Sequence, residues 1–459
     1  MAALPGVRYF SSIEAVFCMN MDRYNDKPGL FLAGLTALAF VAAGYKIFNR
    51  VPETVFAATV AKTSSSSQQF DKPAAPAQVP RFVAQFVSIT PGKAVHAPSV
   101  AELRDGSLRA VWFSGSREGA GDVTVQTAVL STTSQRWSTE TTLFSRAQLE
   151  RGLWRYVKKI GNPVIARAPD GSLNLWMVNV SIGGWAGSAI TWSRSDDDGQ
   201  SWSAPKRLVT SPFLNISTLV KGAPVAMADG SQILPVYHEF VTKFGEVLHI
   251  NAHGQVTDKT RIPGSQTSLQ PVVLVADPRA AKAYMRAGQG GRVVSSGTGD
   301  AGKTWAVASA MNLPNPDSAL AGLVDRQGAS WLAMNPTAWG RQSLALMKAG
   351  DDGSFDAAKT WFVEGAPGAD ASQKQPAASL SVKDHSALLA RELKGQGASD
   401  ADMEAYVASA AKQLCGSTRC VQEFSYPYLL QSQNGAMHLV YTWNRTRIKH
   451  IRFDHATVD

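Results

Sequence analysis

Short runs of alternating apolar and polar residues cover most of the chain from residue 80 onward. A proline begins several of these runs, and an Asp-Gly or Asn-Gly pair follows a few residues later. Such pairs between alternating runs are the strongest short-range signals of a hairpin. The pattern predicts antiparallel strands joined by tight turns. The clearest copies begin at Pro98, Pro163, Pro224 and Pro427.

Two looser copies of the same pattern begin near Pro271 and Leu320, which makes six units. Most of them begin roughly 50 to 65 residues apart, a period typical of a β-propeller whose blades have four strands each. The sequence therefore predicts an all-β fold, a six-bladed propeller over residues 80–459. The apolar run at residues 81–89 is expected to close the ring against the last blade.

A second motif lies inside two of the units. Residues 195–202 (SDDDGQSW) and 298–305 (TGDAGKTW) both follow the Asp-box pattern. In such a box the Asp and the Ser or Thr cap a tight turn, the Gly allows the backbone conformation, and the Trp packs between strands. These boxes are expected to be structural and to lie away from the central pocket.

The pattern changes before the last blade. Within residues 366–421 two stretches have apolar residues at three-and-four spacing, which predicts helices. We expect a helical insertion there, either as a cap over the pocket or as a surface addition.

The N-terminal region has a different composition. Residues 29–45 (GLFLAGLTALAFVAAGY) contain no charge, and the length is at the short end of what crosses a bilayer. The sequence predicts an N-terminal segment at 1–28, one transmembrane helix or signal anchor at 29–48, and a polar, flexible linker at 49–79. A bacterial inner-membrane protein with its propeller in the periplasm is expected. The alternative is secretion after signal cleavage.

Composition narrows the choice of partner. The chain is 44% hydrophobic and 18% charged, which excludes general disorder. Its formal net charge of +9 is spread along the chain rather than concentrated in a basic tract, so nucleic acid is not an expected partner. An acidic carbohydrate or an anionic membrane fits this charge better.

Three cysteines occur, and two of them, Cys415 and Cys420, are close in sequence. They would form a small disulfide loop in an oxidising compartment, or remain two free thiols. No metal or cofactor is expected, because no further Cys or His cluster lies nearby in sequence and no nucleotide-binding loop occurs.

The Asp-boxes and the repeat phasing resemble the sialidase (neuraminidase) superfamily, and in particular its BNR-repeat sialidase-like members. The resemblance implies a glycosidase site at the propeller axis. In that family three arginines bind the substrate carboxylate, a Tyr activated by a Glu is the nucleophile, and an Asp is the acid/base. By this resemblance Arg286 and Arg341 correspond to the second and third arginines, and Tyr426 to the nucleophile.

Three positions depart from the family pattern. His96 stands where the resemblance places the first arginine, and Gln270 stands where it places the activating Glu. Thr442 or Trp443 replaces the Glu that orients the first arginine. An amide cannot act as a base, so strict sialidase activity is not expected.

The candidate site residues combine these matches with polar and aromatic groups at the blade starts. Those expected to act in catalysis are Tyr426, Glu118, Asp122, Glu239 and His238. Glu118 or Asp122 would be the acid, and Glu239 or His238 would replace the missing Glu as base. Those expected to bind substrate are His96, Lys159, Asn162, Lys221, Gln270, Arg286, Arg341, Trp443 and Arg445. Trp443 would stack on a sugar ring, and Arg445 would replace the first arginine.

The leading hypothesis is a membrane-anchored, sialidase-like glycoside hydrolase that acts on an acidic or deoxy sugar of a polysaccharide or glycan. Two alternatives remain open. One is a polysaccharide lyase that acts on uronic acids, and the other is a non-catalytic propeller that binds or assembles glycans.

Overall fold

The structure is a computed structural model, and its chain divides into two units, Met1–Thr54 and Val55–Asp459. Within the first unit, the described residues 34–36 and 39 are helical. The transmembrane helix expected at 29–48 lies otherwise outside the described residues. Among the described helices, none is long and apolar enough to cross a membrane. The structure describes residues 34–36, 39, 54–57, 82–211, 215–287, 291–365 and 379–454.

In the described part of the second unit, six antiparallel sheets of four or five strands form the blades, and a further two-stranded sheet follows the fifth blade in sequence. A first strand, β1 (Val83–Phe86), precedes them. The first blade contains β2 (Ala94–Glu102), β3 (Leu108–Gly115), β4 (Thr124–Leu130) and β5 (Thr141–Phe144). Helix α1 (Arg146–Leu153) follows it. The second blade contains β6 (Lys159–Arg167), β7 (Leu173–Val180), β8 (Ser188–Ser195) and β9 (Lys206–Arg207). The third contains β10 (Leu219–Val220), β11 (Val225–Ala226), β12 (Gln232–Glu239), β13 (Lys243–Ile250) and β14 (Val256–Arg261).

The remaining blades repeat the arrangement. The fourth contains β15 (Leu269–Val275), β16 (Ala281–Arg286), β17 (Gly291–Thr298) and β18 (Ser309–Asn315). The fifth contains β19 (Ala321–Val324), β20 (Ser330–Met334), β21 (Leu344–Lys348) and β22 (Lys359–Glu364). After it come the strand β23 (Ser379–Ser381), the helices α2 (Val382–Gly395) and α3 (Asp400–Leu414), and the strand β24 (Arg419–Val421). The sixth blade contains β25 (Phe424–Gln431), β26 (Met437–Trp443) and β27 (Arg447–Phe453), with β1 as its fourth strand.

The first strand of each blade lies nearest the axis. Strand β2 contacts β6 and β25, and β15 contacts β19, which in turn contacts β25. The third blade joins its neighbours through contacts of β10 with β6 and of β12 with β15. These contacts between neighbouring blades join the six sheets in a ring. The six-bladed, all-β propeller expected from the repeats is therefore confirmed.

Strand β1 completes the last blade from the other end of the chain. It pairs with β27, from Val83 opposite Arg452 to Phe86 opposite Lys449. The closure expected from residues 81–89 is confirmed, and it joins the N-terminal strand to the C-terminal blade.

The recurring prolines have a common structural role in four inner strands. In each strand the register shifts at the proline, which produces a β-bulge. The residue before the proline has a positive φ, an uncommon conformation for a residue other than glycine. The bulge re-aims that side chain relative to the regular alternation of the strand. The four residues are Ala97 (φ 53°), Asn162 (φ 40°), Gln270 (φ 54°) and Tyr426 (φ 53°).

A short piece of the expected linker packs against the propeller. Phe56 is buried, its amide donates to the Pro278 carbonyl oxygen at 2.8 Å, and it forms a bridge with Met227. Its side chain joins a core cluster that includes Trp305 of the second Asp-box. The expected linker therefore has a packed point at Phe56, which the polar composition of its later part did not indicate.

Helices α2 and α3 occupy the region where the sequence predicts a helical insertion, of which residues 366–378 lie outside the described part. Ser381 and Ser399 cap their N-termini, each accepting a hydrogen bond from a backbone amide three residues on. Leu389 and Tyr406 face the core of the fifth and sixth blades. Cys415 and Cys420 form a disulfide beside the helices, which settles the choice between a disulfide and free thiols.

Candidate functional site

A cavity of about 160 Å³ lies where the inner strands of the second, third, fourth and sixth blades converge. Three of the bulge residues reach it, since Asn162, Gln270 and Tyr426 all line its wall. The bulges therefore direct side chains from three blades into one space. The complete lining is Glu118, Asn162, Trp185, Leu219, Tyr237, Glu239, Leu269, Gln270, Arg286 and Tyr426.

Two tyrosine hydroxyl groups meet at one amide. Gln270 Nε2 lies 3.4 Å from the Tyr426 hydroxyl and 3.4 Å from the Tyr237 hydroxyl. Asn162 Nδ2 donates a further hydrogen bond to the Tyr237 hydroxyl at 3.1 Å. Burial is the largest of the effects that raise the pKa of Tyr237, so this phenol stays protonated at neutral pH.

The orientation of the Gln270 amide is fixed by Arg286. Arg286 Nη1 donates to Gln270 Oε1 at 2.9 Å, so the Gln270 NH₂ group must face the two phenols. Arg286 Nε in turn donates to Asp317 Oδ1 at 2.8 Å. A glutamate in place of Gln270 would accept at both oxygens, whereas this amide presents donors to Tyr426.

A second carboxylate holds two more arginines. Glu423 Oε2 accepts from Arg445 Nε at 2.7 Å, and Glu423 Oε1 lies 3.2 Å from Arg341 Nη1. Ser425 Oγ donates to the same carboxylate at 2.7 Å. Burial raises the pKa of Glu423, but attraction to the two guanidinium groups outweighs it and lowers that pKa to about 2. Glu423 is therefore an anion at neutral pH.

The two arginine groups are continuous with each other. Arg341 Nη2 donates at 2.8 Å to the backbone oxygen of Asp317, whose side chain binds Arg286. A chain of contacts thus connects Arg286, Arg341 and Arg445 through Asp317 and Glu423. The structure brings these three predicted substrate-binding arginines into one cluster, although only Arg286 lines the cavity itself.

The two candidate acids differ in their surroundings. Glu118 lines the cavity, its side chain is 36% exposed, and its Oε2 lies 3.2 Å from Arg445 Nη1. Asp122 accepts hydrogen bonds from the Ser116 amide at 2.9 Å and from the Ser116 hydroxyl at 3.0 Å. Asp122 therefore supports the turn after β3, and Glu118 is the candidate acid that faces the cavity.

Strand alternation separates the two candidate bases. Tyr237 and Glu239 share one face of β12 and both line the cavity, because successive side chains of a strand point to opposite faces. His238 stacks on Phe244 with ring centroids 4.5 Å apart and is not part of the lining. The structure does not bring His238 to the cavity. Glu239 lies 3.4 Å from Lys243, four residues along the hairpin.

His96 occupies the position that the resemblance gives to the first arginine. Its Nδ1 lies 3.0 Å from Thr442 Oγ1, and its ring centroid is 4.2 Å from that of Tyr426. Burial is the main cause that lowers the pKa of His96 well below its usual value, and Arg445 adds to that effect. His96 is therefore a neutral ring packed against Tyr426.

The two candidate lysines lie in different places. Lys159 Nζ is 5.5 Å from the ring centroid of Trp185, which lines the cavity, so Lys159 lies near its edge. Lys221 is buried beneath Tyr426, with its Nζ 5.8 Å from the centroid of that ring.

The expectation that Trp443 stacks on a sugar is wrong. Its side chain is 1% exposed and packs edge-on against Phe86, with ring centroids 5.2 Å apart. A ligand cannot reach a ring enclosed in this way. The aromatic ring that does line the cavity is Trp185, in a short 3-10 turn at Trp185–Gly187.

One potential metal-ligating group occurs in the described part of the chain. It consists of His385, Cys415 and Cys420, whose ligand atoms lie within 4.8 Å of one another. The two sulfur atoms are joined in the disulfide, so neither is available as a thiolate ligand.

Residues 106–439 match the family described as "BNR repeat-like domain". The chain belongs to this family. A comparison with curated proteins gives no match.

Solved structures with the same fold include sialidases. A Hadza microbial sialidase is 15% identical, with a TM-score of 0.57, and the match covers 80% of this chain and 66% of that one. An intramolecular trans-sialidase from Ruminococcus gnavus, in complex with oseltamivir carboxylate, is 12% identical (TM-score 0.57), with 81% and 98% covered. A protein of unknown function from Dyadobacter fermentans is 12% identical (TM-score 0.58), with 82% and 99% covered. At these identities the likeness establishes a sialidase-like BNR propeller fold.

Besides Leu219 and Leu269 of the cavity lining, four polar or aromatic residues of this BNR propeller site were not among the predicted site residues. Tyr237 directly precedes His238 and Glu239, which the sequence analysis selected as candidate bases. Glu423 lies three residues before Tyr426, and this closeness in sequence could have indicated that Glu423 lies near the site. Asp317 and Trp185 lie in connections between strands, where the repeat pattern gives no indication of direction. The four are Tyr237, Glu423, Asp317 and Trp185.

Proposed function

We propose that this protein is a sialidase-like glycoside hydrolase whose substrate is a sugar that bears a carboxylate. The observation that carries the proposal is the convergence of Tyr426, Glu118 and Arg286 on one cavity, with Arg341 and Arg445 connected to them. Guanidinium groups match carboxylates in shape and charge. The Ruminococcus gnavus trans-sialidase, which has the same fold, was solved with a ligand that bears a carboxylate, oseltamivir carboxylate.

The reaction would proceed in two displacements. Tyr426, as a phenolate, would form a bond from its oxygen to the anomeric carbon while the bond from that carbon to the leaving oxygen breaks. Glu118 would give its proton to the leaving oxygen. Water, deprotonated by Glu118, would then attack the same carbon and release Tyr426. Arg445 would become the third guanidinium of the carboxylate site, in place of the arginine that His96 replaces.

The test is turnover of the purified full chain on aryl glycosides of acidic and neutral sugars, with released phenol measured. We expect hydrolysis of acidic glycosides that Tyr426→Phe abolishes. Tyr428→Phe is the matched control, because Tyr428 is two residues further along β25 and its hydroxyl bonds the Ile165 carbonyl instead. Release of an unsaturated uronate would indicate a lyase, and binding without turnover would indicate a glycan-binding propeller. Either outcome would contradict the proposal.

The N-terminal hydrophobic run would anchor this activity to a membrane. Its support is the sequence of residues 29–45, which has no charged residue. A bacterial inner-membrane location with the propeller in the periplasm agrees with the disulfide between Cys415 and Cys420, since disulfides persist in oxidising compartments.

A further inference from the structure

A segment at the seam between the first and second blades connects the cavity with the outer edge of the propeller. Residues 154–158 follow helix α1 and end at β6, where Lys159 lies beside Trp185 of the cavity wall. At the other end, Gly152 of α1 is close to Pro205, which directly precedes the outer strand β9. The segment therefore runs from the outer to the inner strand of the second blade, across three strand spacings or about 14 Å.

Two large aromatic side chains of this segment face solvent. Trp154 is 94% exposed and Tyr156 is 58% exposed. Their backbone is held in place, because the neighbouring Val157 is fully buried in a cluster with residues of both blades, and its amide donates to Glu150 Oε1 at 3.0 Å. Packing inside this chain does not account for the two exposed rings.

Uncompensated cations accompany these rings. Arg155, Lys158 and Lys159 belong to the same stretch, and in the described part of the chain none of the ion pairs includes any of them. Burial lowers the pKa of Arg207 on β9, and repulsion from Arg155 adds to that effect. The nearby acid Glu150 is already engaged by a backbone amide. The seam therefore favours an anionic ligand.

Alternating rings and cations suit a chain of sugars that bear carboxylates. Aromatic rings pack against the apolar faces of sugars, and guanidinium and ammonium groups pair with carboxylates. An anionic membrane also attracts such side chains. Continuity with the cavity favours the polysaccharide, because Trp185 belongs to both surfaces. Its ring lies over Gly161 of β6, where an added Cβ would be 2.8 Å from Trp185 Cη2, and it also lines the cavity.

We propose that residues 154–159, together with Arg207, form a binding track for an acidic polysaccharide. The terminal sugar occupies the cavity, and the sugars that follow it lie along the seam between the first two blades. Trp154 and Tyr156 stack on sugar rings, and the cations of the track pair with carboxylates. This inference rests on the proposed function, and it names the substrate as a polymer with repeated carboxylates rather than a short glycan with one acidic end.

The first test is the binding of polysaccharides to the full chain in detergent, measured by isothermal titration calorimetry. The probes are polygalacturonate and polysialic acid, with dextran as the neutral polymer. We expect the wild type to bind at least one acidic polymer and not dextran. Trp154→Ala should weaken that binding about tenfold, and Arg155→Gln about threefold with a smaller dependence on salt. Failure of the wild type to bind either acidic polymer would overturn the proposal.

Two variants control for the loss of apolar surface and for the loss of charge. Phe240→Ala removes a ring that is 57% exposed between β12 and β13 of the third blade. Arg136→Gln removes an exposed arginine between β4 and β5, which β4 reaches by running away from the cavity. Both variants should bind the acidic polymers as the wild type does. Losses equal to those in Trp154→Ala and Arg155→Gln would overturn the proposal.

Turnover distinguishes the track from the site of hydrolysis. We compare kcat/KM for an acidic oligosaccharide with kcat/KM for the aryl glycoside of the same sugar. The ratio should be about ten in the wild type and fall towards one in Trp154→Ala, through KM rather than kcat. Selective loss of polymer binding in the track variants, without hydrolysis by the wild type, would reject the proposed function and support the track. Unchanged ratios with unchanged binding would overturn the track alone.

Fluorescence quenching distinguishes a membrane from a polysaccharide. The full chain is placed in vesicles of phosphatidylglycerol with brominated acyl chains. The difference in emission between the wild type and Trp154→Phe then reports on Trp154. We expect the same difference in brominated and unbrominated vesicles. Quenching of Trp154 by the brominated lipid would show that this surface enters a membrane, and it would overturn the proposal.

Discussion

Glu423 lies between two guanidinium groups and is nearly buried, with a residue exposure of 9%. Both of its oxygens are engaged, one by Arg445 and the other by Arg341 and Ser425. Removal of this charge would leave Arg341 and Arg445 to repel each other at partly buried positions. The site therefore depends on a carboxylate that does not line the cavity.

We expect Glu423→Gln to lower both stability and activity. At neutral pH the free energy of unfolding should fall by about 3 kcal/mol, because the two arginines would remain partly buried without their counter-charge. The control is Asp196→Asn, since Asp196 is 74% exposed in its ion pair with Arg194 and should change stability by less than about 1 kcal/mol. Chemical denaturation at pH 7 measures the free energy of unfolding of both variants. Equal effects of the two substitutions would contradict this account.

The pH dependence gives an independent check of the same residue. The folded-state pKa of Glu423 is about 2, below its ordinary value of 4.5, so its stabilising contribution is complete above pH 4.5 and is lost as the pH falls towards 2. Wild type should therefore lose about 3 kcal/mol more stability than Glu423→Gln across that interval. If the free energy of unfolding changed with pH in the same way for both proteins, the ion pairs of Glu423 would not contribute to stability.

The site residues that belong to a repeated pattern are predictable from the sequence. Asn162, Gln270 and Tyr426 each precede a proline that begins a unit, so the repeat itself indicates their common position. It could not find Tyr237, because the choice between Tyr237 and His238 depends on which face of β12 points to the axis. One residue of register decides that face, and a short strand does not fix it.

At the scale of elements, the seams between blades depend on close approach of loops. The loop after β14 crosses to the fourth blade, where the Ala308 amide donates to the Pro263 carbonyl oxygen at 2.8 Å. Gly264 in this loop has φ +72°, and an added Cβ would lie 3.0 Å from the Ala308 amide nitrogen and 2.8 Å from a Val307 methyl carbon. Space and backbone conformation both require glycine here.

We expect Gly264→Ala to destabilise the protein more than Gly353→Ala. Gly353 has φ +69° with no atom within 4 Å of an added Cβ, so its substitution tests the backbone strain alone. That strain should cost about 1 to 2 kcal/mol in each variant, and the contact with Ala308 should add about 1 to 3 kcal/mol in Gly264→Ala only. Chemical denaturation gives the difference. Similar losses of stability in the two variants would mean that the contact between residue 264 and Ala308 relaxes without a loss of free energy.

The elements themselves were largely predictable. Asp-Gly and Asn-Gly turns joined the expected strands, because these dipeptides suit the tight turns of hairpins whatever surrounds them. Phe56 was missed for the opposite reason. Phe56 lies in a short apolar run at residues 55–58 (VFAA), which is too short to show the period of a strand or a helix. Its packing with Met227 and Trp305 makes it a point of attachment.

At the scale of the whole molecule, the ring is closed by hydrogen bonds between the two ends of the domain. Strand β1 is the outer strand of the sixth blade, and without it the backbone edge of β27 would face solvent. The sequence predicted this closure because residues 81–89 form a strand pattern with no partner of their own. It did not predict which apolar contacts hold β1 in place. Phe82 packs against Phe453 with ring centroids 5.8 Å apart, and Val87 is fully buried.

These contacts predict that the propeller needs β1 for its stability. We compare chains that begin at residues 82 and 91, both of which lack Phe56, so that β1 with its flanking residues is the difference between them. Loss of Phe86 and Val87 removes two buried side chains worth about 4 kcal/mol together, apart from the hydrogen bonds to β27. The chain beginning at 91 should therefore unfold at a lower temperature and self-associate through its exposed strand edge, as size-exclusion chromatography would show.

A synthetic peptide of residues 81–90 should raise the unfolding temperature of the chain that begins at 91, whereas a peptide of the same composition in scrambled order should not. Equal unfolding temperatures for the two chains would show that the ring holds without this strand.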